Sequence, residues 1–131
     1  AFALIKLKHL DKWNKKNREV ADFYSRQLRS VVEVPKENIA VKPVFHNYIV
    51  QTDQREELAR FLDQHGISTR IHYPIPIHLQ SVSKDLGYTV GSFPVIEKQA
   101  KRILSLPIFP ELKKEELKRV VDTIISFFNR G

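Results

Sequence analysis

The sequence has 131 residues, 42% of them hydrophobic and 28% charged, which suits one globular domain with a modest core and excludes disordered and fibrous classes. With no cysteine there is no disulfide framework and no thiolate metal site, and no apolar run nears the roughly 20 residues that span a bilayer. The net charge of +7 raises the question of anionic partners, but Lys12, Lys15, Lys16, Lys113, Lys114 and Lys118 lie among acidic residues on helical stretches and read as solvated surface.

The chain contains no Met and opens on AFALIKLKHLDKW, already amphipathic and without a capping residue, so we expect a piece of a longer protein. Over 3–29 the apolar positions Leu7, Leu10, Trp13, Val20, Ala21, Tyr24 and Leu28 recur near the helical period and predict one long helix. VVEVP (31–35) predicts a short strand ended by Pro35, and VFHNYIVQT (44–52) a β-branched and aromatic strand with His46, Tyr48 and Val50 on one face. Asp53 and Glu56 have the spacing of a capping box for a helix over 54–65 that Gly66 stops.

Alternation of Ile67, Thr69, Ile71 and Tyr73 with Ser68, Arg70 and His72 predicts a strand over 67–73 that ends at Pro74. Residues 79–93 read as loop with one helical turn, and Pro94 suits the first turn of a helix to about Ile103. LSLPIFP (104–110) reads as an extended, packed segment. The cleanest period in the chain, Leu117, Val120, Val121, Ile124, Ile125 and Phe128, predicts a last helix over 113–129. The sum is an α+β domain: a small antiparallel sheet with helices packed on it.

The stretch GISTRIHYPIPIHLQS (66–81) concentrates chemistry. Arg70 and His72 would leave one face of a strand, and Pro74 and Pro76 stiffen the chain before His78 and Gln80. An Arg, two His, a Tyr and a Gln on so stiff a backbone suit an anionic or hydroxyl-rich ligand. A plain connector with surface histidines is the competing reading. A zinc site on His72, His78 and His46 matches no known spacing, and no nucleophile elbow or phosphate-binding glycine loop is present. No complete active site is legible here.

The run GISTRIHYPIPIHLQ, followed by GSFPVIEKQAKRILSLPIFPEL, resembles the small C-terminal domain of the DegT/StrS family of sugar aminotransferases. The likeness extends to KLKHLDKWNKKNREVADFYSRQL, FHNYIV and EELKRVVDTIISFF, which is nearly the whole chain, and departs from the family at Ser81-Val82-Ser83. The resemblance implies a fold like that of aspartate aminotransferase, with residues 1–29 as a long helix joining a further large domain and 30–131 as the small α+β domain. It implies pyridoxal phosphate as cofactor, bound mainly by that large domain together with the Schiff-base lysine. It implies a nucleotide-linked keto sugar as substrate, an amino donor such as glutamate, a cytoplasmic homodimer, and no nucleic acid or membrane partner.

On this reading His72, Tyr73 and His78 line the substrate cleft, with Arg70 and Gln80 beside them. His46 is expected to be packed and hydrogen-bonded, Ser105 and Pro107 to set a turn and packing, and Glu97 to hold a neighbouring loop. A dehydratase using the same cofactor without the lysine, and a free-standing regulatory or nucleic-acid-binding module, are the alternatives.

Overall fold

The computed structural model describes residues 2–38 and 40–130. It is an α+β fold in which helices cover a two-stranded antiparallel sheet, as the sequence predicts. The N-terminal helix is not continuous. α1 (Phe2–Leu7) and α2 (Leu10–Leu28) are separated by a turn at Lys8 and His9, and Ala1 lies outside the described residues. The apolar side chains of Leu4, Ile5 and Leu7 are exposed, so no core contact holds α1 in line with α2. The buried stripe begins only at Val20 and runs through Ala21, Tyr24 and Leu28.

β1 (Tyr48–Gln51) pairs with β2 (Ile103–Leu106) in the register Tyr48 to Leu106 and Gln51 to Ile103. The strands are shorter and fewer than expected, for identifiable reasons. Of VVEVP, only Glu33 reaches the sheet, bridging Gln51. The N–H groups of Val31 and Val32 are already donated to the Leu28 carbonyl at the end of α2, and Pro35 follows. Ahead of β1, Phe45 takes a positive φ of 49° that turns the chain, though its ring stays buried. In the 67–73 segment only Arg70 pairs, with Ser105. LSLPIFP supplies most of β2, which pairs with β1 on one side and with Arg70 on the other. The outer positions of the sheet, Glu33 beside β1 and Arg70 beside β2, are each one residue long.

α3 (Arg55–Gln64) ends as its sequence predicts. Gly66 has φ +71°, its N–H reaches the Asp63 carbonyl, and the N–H of buried Ile67 reaches Leu62, a Schellman closure. Its start differs from the expected box. Gln54 is the N-cap and its N–H is accepted by Thr52 Oγ1, while the Asp53 carboxylate accepts from Arg102 Nε at 2.7 Å. Arg102 also reaches Glu33 at 3.1 Å, so one guanidinium ties the outer bridge, the entry to α3 and the end of α4 (Pro94–Arg102).

α5 (Lys114–Phe128) buries Leu117, Val120, Val121 and Ile124 against α2, α3 and the sheet. Glu116 closes its first turn by accepting the Lys113 N–H. At the centre of this core the rings of Tyr24 and Tyr48 lie 5.1 Å apart. Both hydroxyls have partners: Tyr24 donates to the Pro107 carbonyl at 2.9 Å, and Tyr48 shares a hydrogen bond with Ser25 at 2.8 Å. Burial of so many large apolar groups, each contributing about 1.5–3 kcal/mol, is what holds the domain together.

Candidate functional site

The candidate site lies where the two most informative stretches of the sequence meet. From Arg70 the chain leaves the edge of β2, and the prolines at 74 and 76 keep it off the sheet because they have no N–H to donate. It closes in a 3₁₀ turn, Ile77–Leu79, followed by another over Ser81–Leu86. Residues 79–93 form the expected loop with one such turn, Ser81–Leu86, and the Ile77–Leu79 turn lies ahead of it. Gly87 (φ +73°) ends the second turn, and the chain then arches through Gly91 (φ +93°) into α4, with Pro94 in its first turn as anticipated.

Between the 72–79 segment and the 83–103 segment lies a cleft of about 440 Å³. His72, Tyr73 and His78 line it, opposite Leu86, Tyr88 and Phe93. The lining is largely apolar, and the polar groups sit at defined points. His72 Nδ1 and Ser105 Oγ lie 2.9 Å apart and share a hydrogen bond, which fastens one wall to β2. Ser105 is buried and lies within the strand, so it sets no turn; its hydroxyl serves the site. The His72–Tyr73 peptide bond is cis, and Tyr73 is 74% exposed, the freest polar group of the set.

His78 is held differently. Its Nε2 donates to Glu97 Oε1 at 3.0 Å, and the Phe93 ring meets the imidazole edge-on at 4.8 Å. Glu97 also accepts the N–H groups of Gly91 and Phe93, so it holds the neighbouring loop, as expected. Those backbone donors first, and the His78 side chain after them, keep the Glu97 carboxyl below its ordinary value of 4.5.

The structure thus brings His72, Tyr73 and His78 together and leaves Arg70 and Gln80 out of the lining. Arg70 is exposed and folds back on its own segment, donating to Ser68 Oγ and the Thr69 carbonyl. It does not share a face with His72, which turns in to Ser105. Gln80 donates to the Ile75 carbonyl at 3.1 Å and braces the proline loop. His46 is exposed, not packed, because Phe45 and Tyr48 take the inward positions. Sequence reasoning missed Tyr88 and Phe93 as wall residues, since a loop offers no periodicity from which to read a face.

Pyridoxal phosphate needs an amine to bond its aldehyde and a carboxylate for its ring nitrogen. Among the described residues no lysine and no carboxylate lines the cleft, and Glu97 behind it is committed to three donors. The residues present therefore do not fit the cofactor's anchoring site.

The chain resembles known proteins in sequence and in fold. The chain is 43% identical over 132 residues to a pleiotropic regulatory protein of Geobacillus stearothermophilus, covering 98% of the chain and 36% of that protein. It is 36% identical to the dTDP-3-amino-3,4,6-trideoxy-alpha-D-glucose transaminase of Streptomyces venezuelae, covering 99% of the chain and 35% of the relative. The crystal structure of S. venezuelae DesV in complex with a ketimine intermediate superposes with a TM-score of 0.93 at 36% identity, over 97% of this chain and 35% of that one. The chain spans about a third of the length of the curated relatives it matches. The family model of the DegT/DnrJ/EryC1/StrS aminotransferases matches residues 1–125, and the chain belongs to that family.

Proposed function

We propose that residues 1–131 are the small, substrate-closing domain of a pyridoxal-phosphate-dependent aminotransferase that aminates a nucleotide-linked keto sugar. The amino donor is glutamate, the whole enzyme is a cytoplasmic homodimer, and the product is an amino sugar for a surface polysaccharide or a secondary metabolite. The cofactor and its lysine belong to protein outside these residues, a division supported by a cleft without lysine. α1 and α2 form the joint to that larger part.

The observation that carries this reading is the meeting of the HYPIPIH and PVIEKQA…LSLP segments in one cleft through His72–Ser105 and His78–Glu97. In this cleft Tyr73 offers an exposed ring face and one hydroxyl to the sugar, and His72 an imidazole already oriented by Ser105. Both lose little entropy on binding because the backbone beneath them is stiff. The apolar wall meets the C–H face of the sugar ring and excludes water.

Steady-state kinetics on the full-length protein test the assignment. Tyr73→Ala should raise KM for the keto sugar about tenfold, equivalent to ~1.4 kcal/mol, while cofactor affinity stays unchanged. An unchanged KM, or equal loss of cofactor binding, would remove Tyr73 and the cleft from the substrate site.

A further inference from the structure

Glu97 stands in the first turn of α4, where carboxylates usually face water. Here only 12% of its side chain is exposed, and only 8% of that of His78. Its two oxygens take the Gly91 N–H at 2.9 Å each, and Oε1 also takes the Phe93 N–H at 3.1 Å and His78 Nε2 at 3.0 Å. An ionised carboxylate offers only lone pairs, so each of these partners must donate. For His78 this demands a proton on Nε2, and Nδ1 becomes the one ring nitrogen left for other contacts.

The arrangement spans the cleft. His78 belongs to the 77–79 turn on one wall, and Gly91 and Phe93 belong to the arch on the other. Gly91 turns its N–H toward Glu97 from a backbone φ of +93°, which a side chain would strain.

We propose that Glu97 is a positioning residue that holds His78 in the Nε2–H form and clasps the 91–93 arch to the 77–79 turn, fixing both the ring plane and the width of the cleft. A neutral ring held this way presents Nδ1 as an acceptor, so a ligand group that meets it must donate. A sugar hydroxyl fits; a phosphate oxygen does not. The effect on substrate rests on the keto-sugar reading above, whereas the clasp itself does not.

Glu97→Ala separates the two. It removes both acceptor oxygens, so the His78 Nε2–H and the Gly91 and Phe93 N–H groups lose their common partner. Nitrogen NMR on the full-length protein with isotope-labelled histidine, at mildly alkaline pH, reads the tautomer and the solvent exchange of the ring proton. The His78 resonance is assigned by its loss in His78→Gln. The wild-type ring should be Nε2–H with that proton protected from exchange; Glu97→Ala should lose the protection and move the Gly91 and Phe93 amide resonances, and KM for the keto sugar should rise several-fold with kcat changed less. A wild-type Nδ1–H ring overturns the proposal whether or not the variant folds, and so does an Nε2 proton that stays protected in Glu97→Ala. Protection that is lost while KM stays put keeps the clasp and sinks the keto-sugar reading of the cleft.

Discussion

The core around Tyr24, Tyr48 and Leu104 and the cleft around His78 and Glu97 both adjoin β2, yet they are held by different physics. In the core, interlocked side chains lose nearly all contact with water, and the few polar groups are satisfied from within. In the cleft, Tyr73, Ile77 and Phe93 remain open, and shape comes from prolines, two positive-φ glycines and a handful of directed hydrogen bonds. The first arrangement resists change because cavities are costly to leave. The second leaves a surface available to a ligand, at the expense of depending on single contacts.

The sharpest way to break this contrast is Leu104→Ala on β2, where the side chain is 1% exposed. Loss of its packing should destabilise the domain by about 3 kcal/mol in urea denaturation, far more than any change of a cleft residue. A cost below about 1 kcal/mol, the level of an ordinary surface site, would mean that the core is looser than its burial suggests.

pH should then divide the two regions. Burial first of all pushes the Tyr48 hydroxyl up to about 12 from its ordinary 10.0, and Tyr24 is pushed up for the same reason. A raised native value means that the stabilisation is complete below the unfolded value of 10.0 and is lost as pH climbs through the native one. Stability should therefore fall between pH 10 and 12, by an amount on the order of 2 kcal/mol for Tyr48. Denaturation midpoints across that window check it; a flat profile would show that neither hydroxyl is shielded.

Ser105→Ala is a milder change that joins the regions. Removing the hydroxyl from His72 should cost about 1 kcal/mol and raise KM for the proposed keto-sugar substrate a few-fold. If stability falls and KM does not, the His72–Ser105 contact is structural only. The smallest effect is expected in acid. The Glu97 carboxyl lies below 4.5, so its hold on the arch is complete above that pH and is lost as pH falls through the depressed native value. The Gly91 amide resonance should follow that titration while amides of α5 stay still; a Gly91 signal indifferent to acid would place Glu97 elsewhere in solution.

Much of the architecture is legible in the sequence where local rules and tertiary packing agree. The stripe of α5, the stop at Gly66 and the start at Pro94 each follow from periodicity or backbone preference, and each is present. The strands at 31–35 and 67–73 are not, because β propensity says nothing about where backbone donors go. Those of Val31, Val32 and Ile67 are taken by the ends of preceding helices. At the site, His72, Tyr73 and His78 stand out as polar groups on a stiff segment. Arg70 and Gln80 share that segment, but backbone carbonyls within a few residues capture both. The partnerships that organise the cleft, His72 with Ser105 and His78 with Glu97, link positions 33 and 19 residues apart. No local pattern could have joined them.

The one-residue outer bridges at Glu33 and Arg70 have a consequence for how the molecule behaves in a crowd. A sheet usually risks recruiting foreign strands along its rim, where a row of unpaired amides invites copying. Here neither rim offers such a row among the described residues: on one side the chain leaves Glu33 for Pro35, and on the other it leaves Arg70 for Pro74. Apolar groups such as Ile77 and Val82 stand in the open, but no long strand edge lies beside them among the described residues.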